Sequence, residues 1–472
     1  MLNRISASNF KSFRHLDYKC AKLNLLTGVN GAGKSSFIQL LLFLKAISSK
    51  RLNNVTIRAD EIGFQGRFND LKYCYAKNDD AIKVEVDFTV REEMAELPDG
   101  TLSPCIPFDT YVMPHLEDGD CVYQDECGKV SLMITLNSEN SISVNHSSFF
   151  KRLLDSYPSE YADLKSYFSS IGRPVIGEHF KEYASRWQKR NILFSRVATE
   201  IEKEEDIVEN EKLLRQLLSF MRMISAFRIK PQEVHDVGYE VGQFNPEGNN
   251  AIGYLYVAGR HFMLSSKNPM RHRSMKSEGM SFLIDEVNAW LGEVSPGAKI
   301  NIESVEVGDI QKFVESIDYG DGELHRTFKP QNVGFGISYI LPVLVTLLTA
   351  SPNDIVVIEN PEAHLHPRGQ SEIGKLLACA SAWGVQLFVE THSDHVINGV
   401  RVAVKEGVIK PEDVKVAFFE RGMHIAPSEG VETPTEEVYT SERDILIDKN
   451  GALSEYPTDF LDEWNNQLME LM

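Results

Sequence analysis

The sequence predicts an α/β fold, a parallel sheet with helices packed on its faces, whose two halves lie far apart in the chain. Three observations predict it. From Leu23, the stretch LNLLTGVNGAGKSSFIQLLLFLKAI gives a short apolar strand, a glycine turn and a helix with an apolar face. Much later, two buried-strand patterns, Asp354–Ile358 and Val385–Val389, bracket a helical stretch starting near Arg368, as in a βαβ unit of a parallel sheet. Between them lies an insertion of different character.

The glycine turn carries the first chemistry. Gly28-Val-Asn-Gly-Ala-Gly33-Lys34-Ser35 satisfies G-x-x-x-x-G-K-[ST] between a strand and a helix. Glycines let such a loop wrap phosphates with its N–H groups pointing inward. Asn30, Gly31, Ala32, Gly33, Lys34, Ser35 and Ser36 are therefore the expected nucleotide-binding residues. Lys34 would reach the β- and γ-phosphates, and Ser35 would place its hydroxyl on Mg²⁺. ATP and Mg²⁺ are the expected cofactors. A chance glycine turn would not need the flanking strand and helix.

Composition bounds the rest. A chain of 472 residues is too long for one ordinary core, so two or more lobes are expected. Hydrophobic residues make up 42%, normal for a globular protein, and no run of about 18 apolar residues appears. The opening MLNRISASNFKSF lacks the apolar core of a signal peptide, so a cytoplasmic location without membrane contact is expected. The six cysteines, Cys20, Cys74, Cys105, Cys121, Cys127 and Cys379, contain no C-x-x-C pair and read as reduced thiols. The net charge of −19 disfavours stand-alone, non-specific DNA binding unless a basic patch is concentrated somewhere. Arg260–Lys276 is the one dense basic run; it could meet nucleic acid or an acidic partner, against the bland reading of a solvated loop.

With Asn30 before Gly31 the loop reads G-x-N-G-x-G-K-S, which resembles the loop of ABC-type ATPases that include chromosome-organising and double-strand-break-repair proteins. The opening ISASNFKSFRHLDYKCAKLNLLTGVNGAGKSS is similar to the first strands of that group. The stretch from Asn332 to Val400 resembles the second half of the nucleotide site in ABC-type ATPases related to the overcoming-lysogenisation-defect family. This resemblance implies an ABC-type P-loop nucleotide-binding domain split in sequence, with an inserted helical lobe.

It also implies roles. Glu359 takes the place of the Walker B carboxylate on the magnesium shell, and His364-Leu-His366-Pro367 stands where the dimer-contacting D-loop lies. Thr391-His392-Ser393 resembles the switch-histidine loop. Gly334, Gly336 and Ser338 resemble a degenerate signature motif that closes over the γ-phosphate of a partner subunit. Gln65 would occupy the Q-loop place and share the metal with Ser35 and Glu359, and Arg228 stands where related ATPases carry an arginine, with salt-bridge duty as the alternative. A head-to-tail dimer or higher homo-oligomer follows.

One position departs from the common pattern: the Walker B pair reads Glu359-Asn360. A hydrolytic carboxylate orients the attacking water and accepts its proton, and an amide does only the first. Glu362 is the carboxylate that could compensate; its bland reading is an acid near a helix start. Glu359, Asn360, Glu362 and His392 are thus the expected catalytic residues. Zinc held by Glu362, His364 and His366, or by His392, Asp394 and His395, is the lesser alternative, because neither cluster has helical H-E-x-x-H spacing. His395 reads as a helix-start or packing residue.

Residues 81–145 read as strands and 150–223 as helices, with Val208, Leu214, Leu217, Leu218 and Met221 near i, i+3, i+4 spacing. The expected division is 1–145 for the N-terminal half of the ATPase, 146–230 for a helical lobe, 231–425 for the C-terminal half and 426–472 for a short C-terminal module. The ending resembles a module found on one subgroup of these ATPases, and no acidic D-x-D triad follows as in the TOPRIM nucleases. Subgroups without their own nuclease resemble the ATPase subunits of anti-phage systems such as Septu and PARIS. The expected function is a slowly hydrolysing sensor and scaffold controlling a separate effector nuclease of HNH or TOPRIM type, with nucleic acid reached through that effector. The alternatives are a DNA-repair ATPase acting directly on DNA and a non-hydrolysing, ATP-bound structural hub.

Overall fold

The computed structural model describes residues 1–49, 71–77, 80–90, 93–96, 102–104, 121–123, 128–136, 142–146, 221–228, 230–236, 248, 251–275, 279–307, 310–320, 326–426, 435–458, 460 and 463–471. Gln65 and the helices expected over 151–220 lie outside these residues.

A six-stranded sheet runs in the order Arg222–Ile224, Ile355–Glu359, Gln386–Glu390, Leu23–Gly28, Val414–Ala426, Thr435–Ile445. Its first five strands are parallel, and the last pairs antiparallel with its neighbour. The two ends of the sequence therefore meet in one sheet, as the split predicted. Strands in such a sheet are buried on both faces, and alternate residues serve two cores. Val356 and Ile358 join one core with the helices Ala251–Ala258, Leu283–Val294, Phe335–Leu348, Pro367–Ala382 and Asp394–Lys405. Ile355 and Val357 join the other, with the helix Lys34–Ser49 and a second sheet.

That second sheet is antiparallel, in the order Phe13–Lys19, Leu2–Phe10, Ile82–Val90, Gly128–Leu136, Ile142–His146. It bears out the strand reading of the region after 81. Its inner face meets the helix that follows the glycine turn: Tyr18 lies 4.5 Å from Phe37, which also contacts Phe388 and Phe419. The glycine turn is thus mounted between two sheets.

Two expectations change. Arg222–Ile224, read as the end of a helix, is an edge strand parallel to Ile355–Glu359, because Met223 and Ile224 bury on opposite faces of the sheet in period-2 fashion. The boundary expected at 426 falls inside a hairpin whose second strand belongs to the ATPase sheet, so the C-terminal region is no separate body at that point.

The helices Pro367–Ala382 and Asp394–Lys405 cross closely. A Cβ on Gly399 would come 2.1 Å from the Ser371 carbonyl oxygen, and one on Gly374 2.2 Å from that of Val396. Gly399→Ala is expected to destabilise the protein by about 1–3 kcal/mol, the cost of overpacking. Denaturant unfolding would show it as a lower midpoint, and an unchanged midpoint would mean that the helices part without cost.

Candidate functional site

The loop after Leu23–Gly28 and the ends of the two adjacent strands converge at the same edge of the sheet. Gly28, Gly31 and Gly33 have φ of 134°, 74° and 108°, a region closed to most side chains. A Cβ on Gly28 would also meet the Phe419 carbonyl oxygen at 2.2 Å. The helix begins at Lys34, so its N-terminal N–H groups face the loop's hollow. Lys34 is buried, and its Nζ donates to the carbonyls of Gly28 at 2.7 Å and Val29 at 2.9 Å. Burial lowers its pKa, opposed by the Glu390 carboxylate. Asn30, Gly31 and Ser35 are exposed, Gly33 and Ser36 are half-buried, and Ala32 is buried. Ser35, the second residue of the helix, lies on the exposed side of this turn.

Glu359 ends its strand and Glu390 ends the next one, in direct register. Glu359 Oε2 accepts from the Ala226 N–H at 2.9 Å, and burial raises its pKa. The following Asn360 sits at φ 45°, with its N–H donating to the Glu390 carbonyl at 2.8 Å. Arg228 holds this turn: its Nη2 donates to the carbonyls of Glu359 at 2.6 Å and Asn360 at 3.2 Å. Burial pushes the guanidinium down to about 10, against the pull of Glu362 and Glu359. Two of its other buried nitrogens, Nε and Nη1, have no hydrogen bond among the described residues.

Glu362 is also buried. Its Oε1 accepts from the His392 N–H at 2.9 Å, its Oε2 is buried with no hydrogen bond of standard geometry among the described residues, and the Thr391 side chain helps to stabilise its charged form. Burial raises its pKa. The bland reading of Glu362 as a helix-start acid is therefore replaced: the helix begins at Pro367 with His366 as its cap. His392 follows the adjacent strand, with its side chain exposed, and partial burial and then Lys34 lower its pKa. Ser393 caps the next helix by accepting from Val396 N.

Glu390 is the residue that motif reasoning passed over. It is buried beside Glu359 and Lys34, and burial, reinforced by Glu359, pushes it up to about 7. Its signal was its place at the end of a strand flanking the phosphate loop's own strand. Buried polar atoms in proteins are nearly always paired. Orphans on Arg228 and Glu362, at the Glu359–Asn360 turn and beside the His392 N–H, fit a site completed by a polar ligand.

The signature-like stretch divides. Gly334 caps the helix Phe335–Leu348, and Gly334 and Phe335 are exposed. Gly336 backs onto the His364 carbonyl, and His364 packs at 4.8 Å on the Tyr339 ring, which ties this helix start to the D-loop stretch. Ser338 instead turns inward: it is buried with its Oγ unpartnered, in a cavity also lined by Lys230, His235 and Glu315. One helical turn in, the helix faces its own core rather than solvent. The rival zinc sets are not assembled, because His364 stacks on aromatic rings and His395 lies 3.6 Å from Asp394 alone. Among the described residues no group of three or more His, Cys, Asp or Glu is placed to hold a metal ion.

The basic run also changes meaning. Arg271 is fully buried, with its Nε on Glu286 at 3.2 Å and on Ser281. His272 and Arg273 both pair with Glu293, which Arg368 joins. Arg271 and His272 are thus buried folding elements, while Arg260, Lys267 and Arg273 stay exposed. Among the described residues no helix is long and apolar enough to cross a membrane.

Among solved structures, the chain is similar to the SMC head bound to the C-winged helix domain of ScpA, at 12% identity over 94% of this chain and 97% of that one, with a TM-score of 0.41. It is similar to the Pyrococcus furiosus Smc head with an extended coiled coil bound to the C-terminal domain of ScpA, at 12% over 100% and 99%, TM-score 0.39. It is similar to the SMC head domain from Thermotoga maritima, at 11% over 94% and 99%, TM-score 0.36. Likeness of this degree adds no weight to the fold, which rests on the strand order. No curated protein matches. Residues 409–471 match the family described as "Protein of unknown function (DUF3696)". Residues 159–398, just over half of the chain, match the family described as "AAA domain, putative AbiEii toxin, Type IV TA system". The glycine loop, the strand ending at Glu359 and the loop bearing His392 sit together on one parallel sheet as in a P-loop ATPase of ABC type, and the chain belongs to that AAA family.

Proposed function

We propose that the protein is a slowly hydrolysing ATPase that acts as a sensor and scaffold, and that it binds and restrains a separate effector nuclease in bacterial anti-phage defence. The observation that carries the slow turnover is the Walker B turn. Asn360 stands where a base is usual, and the nearby carboxylate, Glu362, is buried with a raised pKa and held by the His392 N–H. Lys34 and the loop N–H groups would hold the phosphates, and Ser35 and Glu359 the Mg²⁺. The metal would supply neutralisation of the phosphates' negative charge when bound. Glu362 would take the proton of the attacking water, with His392 beside the γ-phosphate.

The site draws on one chain for all but the signature side, so a head-to-tail homodimer or higher oligomer would bring Gly334 and Gly336 of one copy over the loop of another. Exposed Gly334 and Phe335 support that reading. The rival, a DNA-repair ATPase acting directly on DNA, draws no support from the Arg260–Lys276 run, whose Arg271 is consumed in the core.

Two measurements test the proposal. Single-turnover cleavage of ATP by the parent should be slow and should vanish in Lys34→Ala; rapid turnover, or none, removes the timer. The product of a neighbouring gene should co-purify and lose its nuclease activity when bound. A protein that purifies alone and cleaves ATP faster with added DNA, in a salt-dependent way, would favour the rival.

A further inference from the structure

We propose that Arg421 is a nucleotide-binding residue: from the C-terminal hairpin it supplies a second cation, besides Lys34, to the phosphates held by the glycine loop. The inference rests on the reading of that loop as an ATP site. It gives the 409–471 region, matched only to a family of unknown function, a direct stake in the nucleotide.

The geometry follows from register. The strand Val414–Ala426 runs parallel to Leu23–Gly28, and their pairing ends at Gly28 and Phe419. The hairpin continues past that point while the loop turns away into its helix. Hairpin residues after Phe419 therefore lie beside the loop rather than beside a strand. Each loop glycine meets one of them or its cross-strand neighbour. The Phe419 carbonyl stands 2.2 Å from where a Gly28 Cβ would be, Arg421 Nη2 2.6 Å from that of Gly31, and Thr440 Oγ1 2.3 Å from that of Gly33. Arg421 and Thr440 face each other across the hairpin, and the Thr440 N–H donates to the Ser12 carbonyl at 2.9 Å. Ser12 in turn lies at the Gly33 position, so the hairpin is anchored at the loop from two sides.

Two cations at this loop rest on its own carbonyls. Lys34 does so on Gly28 and Val29, and Arg421 does so through Nε, which donates to the Gly31 carbonyl at 3.1 Å. A neutral carbonyl is a weak partner for a guanidinium; a phosphate accepts two of its N–H groups with opposite charge. The Arg421 side chain is exposed, and its Nη groups have no hydrogen bond among the described residues. The neighbouring Glu420 does not compete, because alternation sends it to the other face, where it pairs with Arg443 at 3.1 Å. Arg421 can therefore turn to a phosphate at the loss of one bond to a neutral acceptor. Lys34 occupies the buried side of the loop and Arg421 the exposed side.

Equilibrium binding of ATP with Mg²⁺ to the full chain, measured by calorimetry for the parent, Arg421→Ala and Arg421→Lys, tests this, with melting temperatures alongside. Arg421→Ala is expected to weaken ATP binding about tenfold or more, the scale of one charge-assisted hydrogen bond. Arg421→Lys should recover part of that loss, keeping the charge without the two-pronged contact, and both variants should melt as the parent does. ATP binding unchanged in Arg421→Ala would overturn the inference while leaving the loop's reading intact. Equal weakening in Ala and Lys variants would overturn it too, because the Gly31 bond and not the charge would then matter. A parent that binds no ATP would remove both readings together.

Discussion

Glu362→Gln is expected to slow single-turnover ATP cleavage by about 10²–10⁴-fold, the usual weight of a general base, while ATP affinity stays within a few-fold. The amide keeps the shape of the carboxylate, and its oxygen can still accept from the His392 N–H, which now meets Glu362 Oε1 at 2.9 Å. What it loses is the second carboxylate oxygen, Oε2, buried with no hydrogen bond of standard geometry among the described residues, and with it the capacity to accept a proton. Burial raises the Glu362 pKa, which makes its carboxylate a better proton acceptor than a solvated glutamate. Arg228 lies close enough to favour its charged form. Unchanged cleavage in this variant would exclude Glu362 as the base. Glu390, also buried and pushed up to about 7, would be the next carboxylate to replace.

Arg271→Ala is expected to destabilise the fold by about 3–5 kcal/mol, because it strands a buried carboxylate. Both side chains of the Arg271–Glu286 pair are fully buried, at 0% exposure each. Arg271 also donates to the carbonyls of Met275 and Gly279, and Glu286 accepts from the His272 N–H, so the pair organises the whole turn. Arg273→Ala, two residues on, removes a partner of Glu293 from a side chain that is 63% exposed, and about 1 kcal/mol or less is expected. Denaturant unfolding of the two variants separates the cases. Equal midpoints would mean that Arg271 is not the core element its burial indicates.

The same pair shows where sequence reading stops. RHFMLSSKNPMRHRSMK is a basic run in one dimension, and charge density is all that one dimension offers. Its partners Glu286 and Glu293 lie on the helix Leu283–Val294, and only folding brings that helix beneath the run. Arg222–Ile224 misled for a related reason. Three residues at the end of a helical pattern carry too little period-2 signal, and the neighbour that makes them a strand, Ile355–Glu359, comes far later in the chain.

The sequence by itself determined the glycine turn, the strands that end at Glu359 and Glu390 and their place in one α/β unit. Each of these is written locally, as a glycine turn between a strand and a helix or as an apolar run ending in Glu359 or just before His392. It also raised the question of Asn360. Only the tertiary structure decided that Glu362 is a buried carboxylate, that Glu390 belongs to the site, that Ser338 faces inward and that Arg421 lies on the loop. Each of those depends on which strand end meets which across the sheet. Burial and charge are set by such neighbours, and no local pattern of residues encodes them.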